Sequence, residues 1–307
     1  MDASVMVFAP APQLTVTIEQ QAGEAELHVH PGSQGIWQAR MVAALGAQVT
    51  LCVATGGETG EIIVRLLKQD DFRVRAIARR SSSGWYVHDR RDGSRDSIAE
   101  HPGSPLVRHD LDELYTVTLA EGLQADVSLL SGAASPDIVD PDVYRRLAAD
   151  LSANGSRVVA DLSGDHLTAA LAGGLAFVKV SHEELIDDGR APDDSVEALV
   201  RGARALREEG AETVMISRAG EPAIALVEGK PIEVSLPAMQ VVEHRGAGDS
   251  MTAAVAAVLA RGGDVEEALR TGAAAGALNV TRHGLGTGRG EAVEQLMKRV
   301  ELTPLKG

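Results

Sequence analysis

Three small residues and an acid, Gly246-Ala247-Gly248-Asp249, open a run of good helix formers over 251–260 that stops at Gly262-Gly263. A glycine turn feeding a helix leaves several backbone N–H groups pointing outward at the positive end of the helix dipole, and such a place suits an anion. Gly246, Ala247 and Gly248 carry so little side chain that other atoms can approach those N–H groups closely. Asp249 stands at the mouth. An acid there is either a helix cap or a base held beside bound phosphate, and spacing alone favours the cap. The chain has no Gly-x-x-x-x-Gly-Lys-Ser/Thr, so any phosphate site is not a P-loop. His28 and His30 alternate on one strand face, but no Cys/His cluster accompanies them, which favours a solvated face or a substrate contact over a metal.

These residues need a frame. Short apolar runs at 4–9, 48–54, 73–78, 127–130, 157–161, 175–180 and 213–217 read as strands. Stretches 36–45, 61–68, 111–123, 136–152, 165–171, 195–209, 251–260, 265–280 and 291–300 read as helices, with Asp140-Pro141 as an internal cap and Asp264 opening a capping-box-like start. Strands alternating with helices imply right-handed crossovers and a parallel sheet covered on both faces. Such sheets bind ligands beyond the carboxyl ends of their strands, where the turns at 55–60, Ser131-Gly132, 161–164 and Ser217 fall. Residues 14–19 alternate and suggest an edge strand. Arg90-Arg91-Asp92-Gly93 sits between extended runs 84–89 and 94–100, a hairpin signal, and Glu228-Gly229-Lys230 marks another.

Gly-Ala-Gly-Asp-Ser-Met at 246–251, the Ala-rich helix, Gly262-Gly263-Asp264 and a second Ala/Gly helix resemble the C-terminal signature of the ribokinase-like (PfkB) sugar kinases, in the form of the 1-phosphofructokinase and tagatose-6-phosphate kinase branch. The resemblance implies a ribokinase-like three-layer α/β fold: a central, mostly parallel sheet with helices on both faces and a small β lid. It implies one domain over 1–307 with lid strands near 13–30 and 84–101. It also implies ATP and Mg2+. Asp249 would take the proton from the attacking hydroxyl, and the amides of Gly246, Ala247 and Gly248 would hold the charge that grows on the transferred phosphoryl group. Phosphoryl transfer is mostly positioning plus charge stabilisation, so the chemistry agrees.

The family's sugar-site segment matches at Gly32, Gly35, Ile36, Ala39 and Arg40, and departs at Ser33, Gln34 and Trp37. Two departures replace a lysine and an asparagine that touch substrate, and without the lysine the resemblance leaves open whether the acceptor is already phosphorylated. Trp37 either stacks on a sugar ring or fills core space. By the same resemblance the acceptor set is Gln13, Gly32, Ser33, Gln34, Gly35, Trp37, Gly57, Arg90 and Ser131, with Gln13 where the family carries an acid. Arg90 reaches substrate from the lid or lies on a solvated hairpin tip. Lys179-Val-Ser181-His182-Glu183-Glu184-Leu185 resembles the family's Lys-Pro-Asn-x-x-Glu-Leu, with serine for the asparagine. It assigns Lys179 to the nucleotide and Glu184 to magnesium. Ser217, Gly220 and Asn279 complete the nucleotide set. His244 and Arg245 replace the small or apolar residues usual before the glycine turn.

A net charge of −15 argues against nucleic acid and anionic membranes as partners, so any positive potential for an anionic substrate must be local. Aromatics at 3% leave a core of Ala, Val and Leu. One cysteine, Cys52, excludes an internal disulfide and suits the cytoplasm, and the start lacks a signal peptide pattern. The expectation is an ATP-dependent carbohydrate kinase acting on a CH2OH of a sugar or sugar phosphate, forming a homodimer through the lid. A nucleoside kinase of the same fold is the near alternative. A non-catalytic sugar or nucleotide sensor is the distant one, supported by the departures at Ser33, Gln34, Trp37, Ser181 and His244. A pure binder, however, has no need of the base.

Overall fold

The computed structural model describes residues 3–242, 245–281 and 288–305. His244 and residues 282–287 lie outside this set. The chain starts with β1 (Ser4–Phe8), leaves to form β2 (Gln13–Gln21) and β3 (Glu24–Gly32), and returns through α1 (Gln34–Ala44), β4 (Gln48–Thr55), α2 (Gly57–Leu67) and β5 (Arg73–Ala78). A second excursion makes β6 (Ser83–Asp89) and β7 (Asp96–Gly103). From α3 (Arg108–Gly122) onward helix and strand alternate: β8 (Val127–Ser131), α4 (Pro141–Ala153), β9 (Arg157–Asp161), α5 (Gly164–Gly173), β10 (Leu175–Ser181), α6 (His182–Asp187), α7 (Val196–Glu209) and β11 (Ala211–Arg218). A hairpin of β12 (Glu221–Val227) and β13 (Lys230–Val234) follows. Then come α8 (Ala247–Ala260), α9 (Val265–Asn279), α10 (Gly290–Met297) and β14 (Leu302–Pro304).

Among the described residues, ten strands form one sheet in the order β14-β13-β12-β11-β10-β9-β8-β1-β4-β5. It is parallel from β11 to β5 and antiparallel from β11 to β14. Successive strand residues point to opposite faces, so each apolar strand feeds two cores. On one face Val7, Leu129, Val159 and Phe177 share a core with Ile36 of α1, Ile63 of α2, Val255 of α8 and Leu269 of α9. On the other, Phe8, Leu130 and Val178 pack with Leu114 of α3, Tyr144 of α4, Leu167 of α5 and Leu199 of α7. This is the three-layer α/β fold that the resemblance implies. The remaining strands make a separate four-stranded sheet, β3-β2-β6-β7.

Several expectations are corrected by local physics. The helix over 136–152 is broken: Pro136–Ile138 is a short 3-10 turn, and α4 starts at Pro141 behind Asp140, whose carboxylate accepts the Asp142 N–H at 2.9 Å. The residue before a proline avoids the helical region, and Asp140 is extended (φ −62°, ψ 128°). The 14–19 run is not an edge strand, since β2 pairs with β3 on one side and β6 on the other. Its alternation reports a sheet with two unlike faces. The helix read from residue 251 begins at Ala247, which draws the glycine turn into its first turn.

Candidate active site

Gly246 caps α8 with φ 73°, a left-handed conformation that costs glycine nothing. Ala247, Gly248 and Asp249 are then the first three helical residues, whose N–H groups have no acceptor within the helix. No side chain caps this helix, so Asp249 is not a cap and the other reading of that acid stands. Buried Asn279 of α9 holds the turn: its amide donates to the Arg245 carbonyl at 2.6 Å and accepts from the Ser250 hydroxyl at 3.2 Å.

Sheet register builds what lies beneath. Ser131 pairs with Asp161 and Asp161 with Lys179, so the carboxyl ends of β8, β9 and β10 present the three side by side. The Asp161 carboxylate is 1% exposed. It accepts from Lys179 Nζ at 3.4 Å, from Gln38 of α1 at 3.0 Å and from Thr252 of α8 at 2.9 Å. Three donors meet it, and the Lys179 charge and these hydrogen bonds favour its ionised form, while burial, the larger effect, and the nearby Glu184 push its pKa up. The Ser131 hydroxyl in turn donates to the Gln38 carbonyl oxygen. The Lys179 ammonium lies against the bare Cα of Gly248, within 3 Å of where a methyl would stand. Burial works against its charge, but Asp161, Glu184 and Asp249 outweigh that and raise its pKa. Asp249, half-buried, is pushed up to about 7, first by desolvation and then by the Asp161 charge, against the pull of Lys179 and a hydrogen bond from Gln34. Gln34 is held for this by its other end, which accepts the Gly132 N–H at 2.7 Å.

Three cavities adjoin this centre. A groove of about 490 Å³ is lined by Gln34, Gly132, Asp161, Ser163, Glu184 and Asp188. A second, about 280 Å³, lies between the small sheet and α1, lined by Gln13, Trp37, Tyr86, His88, Arg95 and Arg245 among others. There the Tyr86 and His88 rings stack at 5.2 Å, and Arg95 lies over Tyr86 and bonds its hydroxyl. Burial, then Arg95 and Arg90, pull His88 down to about 4, so it is neutral at pH 7. Its Nδ1 has no partner. The third, also about 280 Å³, is apolar: Ala219, Gly220, Leu236, Met251, Gly276 and Ala277 contribute to its wall beside the turn.

The structure brings Gln34, Lys179 and Asp249 into one contact network, and puts Glu184 on the groove, Gln13 and Trp37 on the second cavity, and Gly220 on the apolar one. Other expected residues serve the frame as placed. Gly32 at the end of β3 lies tight against the Thr15 side chain, Gly35 gives α1 close approach to Ala9, Gly57 opens α2 at φ +69°, and the Ser131 hydroxyl is spent on Gln38. Ser33 precedes α1 at φ 139°. The Ser217 carbonyl accepts from His182, and the Glu184 carboxylate accepts the Ser181 N–H at 2.7 Å in a capping box. Arg90 lies just past β6, its N–H donating to the Ile18 carbonyl at 2.7 Å and its charge felt at His88 and Arg95. Sequence reasoning left out Gln38, Tyr86 and His88 as site members, took Arg95 only as one of a basic lid cluster with Arg90 and Arg91, and placed Asp161 only on a turn at the edge of the site. Asp161 had a signal, an acid at the carboxyl end of a parallel strand. Gln38 had none beyond being a polar residue on an apolar helix face.

The pfkB family carbohydrate kinase model matches residues 7–291, and the chain belongs to that family. It is 26% identical over 276 residues to the 1-phosphofructokinase of Bacillus subtilis strain 168, covering 90% of this chain and 89% of that one. It is 28% identical over 264 residues to the ATP-dependent 6-phosphofructokinase isozyme 2 of Escherichia coli K12, covering 83% and 82%. The tetrameric inhibited form of Escherichia coli phosphofructokinase-2 superposes with a TM-score of 0.82 at 25% identity, over 97% of this chain and 99% of that one. The chain is therefore a carbohydrate kinase, a phosphotransferase with an alcohol acceptor, and ATP is its phosphoryl donor. Among the described residues, no helix is long and apolar enough to cross a membrane.

Proposed function

We propose that this kinase phosphorylates a hydroxyl of a sugar that already carries an anionic group, a sugar phosphate, with Asp249 as the base. The observation that carries the reading is the placement of Asp249. It is the third residue of a helix it does not cap, beside free first-turn amides, with a pKa near neutrality. The acceptor oxygen attacks the γ-phosphorus as its proton passes to Asp249, and the bond from phosphorus to the ADP oxygen breaks. Charge growing on the transferred group meets the amides of Ala247, Gly248 and Asp249, with Lys179 fixed beneath. The apolar cavity at Gly276 and Ala277 suits a flat base, which would place the adenine there and the phosphates toward the turn.

The acceptor occupies the cavity under the small sheet, which serves as a lid on a single domain and excludes water as a competing acceptor. Arg95 and Arg245 there, with Arg90 near, supply the local positive potential that an anionic sugar needs in an acidic protein. These arginines take over from the cation missing at Gln34. Glu184 lines the groove between and offers a hard oxygen donor that fits Mg2+. Among the described residues no three His, Cys, Asp or Glu side chains gather as a metal cluster, and a magnesium ion that keeps its waters and nucleotide oxygens needs only one or two carboxylates. When bound, the ion would neutralise phosphate charge. The enzyme would work in the cytoplasm.

The test is ADP release across sugars, sugar phosphates and nucleosides, for the wild type and Asp249→Asn. Turnover with phosphorylated sugars, falling by about a thousandfold or more in the variant with ATP affinity kept, is expected. Turnover with unphosphorylated sugars alone would refute the anionic acceptor, and binding without turnover would remove Asp249 as base.

A further inference from the structure

The small sheet joins the main body at a hinge containing a buried guanidinium. Arg79 directly follows β5 and is 5% exposed. Its Nη1 donates to the Ser104 carbonyl at 2.7 Å, just past β7, and its Nη2 donates to the Ser82 carbonyl at 2.9 Å, just before β6. One side chain thus ties both ends of the β6–β7 hairpin to the end of β5. Burial lowers its pKa, opposed by the charge of Asp110 in the first turn of α3, and its Nε has no partner. A cation placed on neutral carbonyls with one donor unmet is an expensive way to fill space, and an apolar side chain would pack there more cheaply. What arginine adds is a rigid planar fork that fixes the separation and direction of two acceptors.

The backbone around it is equally constrained. The Arg79 N–H donates to the Thr55 carbonyl at 2.9 Å, and the Ser83 N–H donates to the Gly56 carbonyl at 2.8 Å. Gly103, at φ +101°, comes so near Gly84 that a Cβ would lie 2.9 Å from the Gly84 nitrogen. The hairpin leaves the main body at this knot, and its far residues, Tyr86, His88 and Arg95, line one cavity with Gln13, Trp37 and Arg245. A small rotation at the base is magnified there.

We infer that Arg79 is the positioning residue that sets the angle of the β6–β7 hairpin over the acceptor cavity. This rests on the reading of the small sheet as a lid. With the clamp gone, the acceptor loses contacts and water gains entry, so that a water oxygen attacks the γ-phosphorus, its proton leaves to solvent, and ADP and phosphate result.

Arg79→Met removes the fork, and Arg79→Lys keeps the charge but cannot span both carbonyls as a planar pair. In Arg79→Met the acceptor KM should rise about tenfold while the ATP KM stays within about twofold. ATP hydrolysis without acceptor should grow relative to transfer, with Arg79→Lys between. Should Arg79→Met not fold, Arg79→Lys and hydrogen exchange decide. Exchange at the Ser83 and Ser104 amides should quicken about tenfold or more in Arg79→Lys, with β8 and β9 unaffected. An unchanged acceptor KM in either folded variant, equal rises in both KM values, or unaltered exchange at those two amides would overturn the clamp. Wild-type protein with no acceptor-dependent turnover would instead defeat the kinase assignment of the site, and the exchange result would still judge Arg79.

Discussion

Asp249 shows how far one residue's surroundings set its work. An aspartate free in water ionises near 3.9, far too weak a base for an alcohol, whereas burial and the Asp161 charge bring this one to about 7. Between pH 6 and pH 8 its ionised fraction climbs about tenfold, so kcat should climb by about the same factor, and a rate profile flat across that window would exclude it as the base. The same shift costs stability. From about pH 4 to pH 7 the folded state holds a proton that the unfolded chain has released, so stability falls as pH rises and the contribution is gone above about 7. Asp249→Asn imitates the protonated form, so its Tm should exceed that of the wild type by about 2 °C at pH 8, with the gap closing toward pH 4. Ser33 makes the opposite case, a residue whose type conflicts with its backbone. At φ 139° and ψ 163° it occupies a region nearly restricted to glycine. Ser33→Gly should stabilise by about 1 kcal/mol, read as a higher denaturation midpoint with an unchanged m-value. Of these two residues the sequence made Asp249 visible through its glycine neighbours. The strain at Ser33 was not visible, because φ is set by the turn that must aim Gln34 at Gly132 and Asp249.

At the scale of elements, what could be read followed locality. Apolar periodicity placed almost every helix and strand of the main sheet, and Asp140-Pro141 carried its own cap signal even though the helix around it was read too long. β14, three residues on an edge, is too short to show a period, and α6 is a six-residue helix built from a capping box. The site itself depends on register. Ser131, Asp161 and Lys179 are far apart in the chain and meet only because β8, β9 and β10 align their ends, which no local pattern reports. The start of α8 is the element on which most converges. By propensity alone, Gly248→Ala should strengthen the helix by about 1 kcal/mol. Here the added methyl would overlap the Lys179 ammonium and drive it from Asp161. Gly248→Ala should therefore lower kcat by about a hundredfold without raising Tm, and a more stable variant of full activity would show that Lys179 and the turn are independent.

For the whole molecule the question is how a chain of charge −15 meets a second copy. Repulsion between like-charged copies opposes association, which favours an apolar contact. The small sheet has such a face. Val16 pairs with Val29 and Val87, and Ile18 with Leu27, which places the five on one side of β3, β2 and β6. Leu27 is 65% and Val29 39% exposed, far more than side chains of a lone sheet's covered face would be. The opposite side carries Tyr86 and His88 of the acceptor cavity, so a partner seated on the apolar face would stiffen the roof over the acceptor from behind. A homodimer through this sheet is the proposed assembly, and it should tighten as salt screens the net charge while the apolar contact persists. Sedimentation velocity at low and moderate ionic strength reads this directly. Val29→Glu should give monomers with a raised acceptor KM and an unaltered ATP KM, and a variant that sediments as the wild type does would move the interface elsewhere on the molecule.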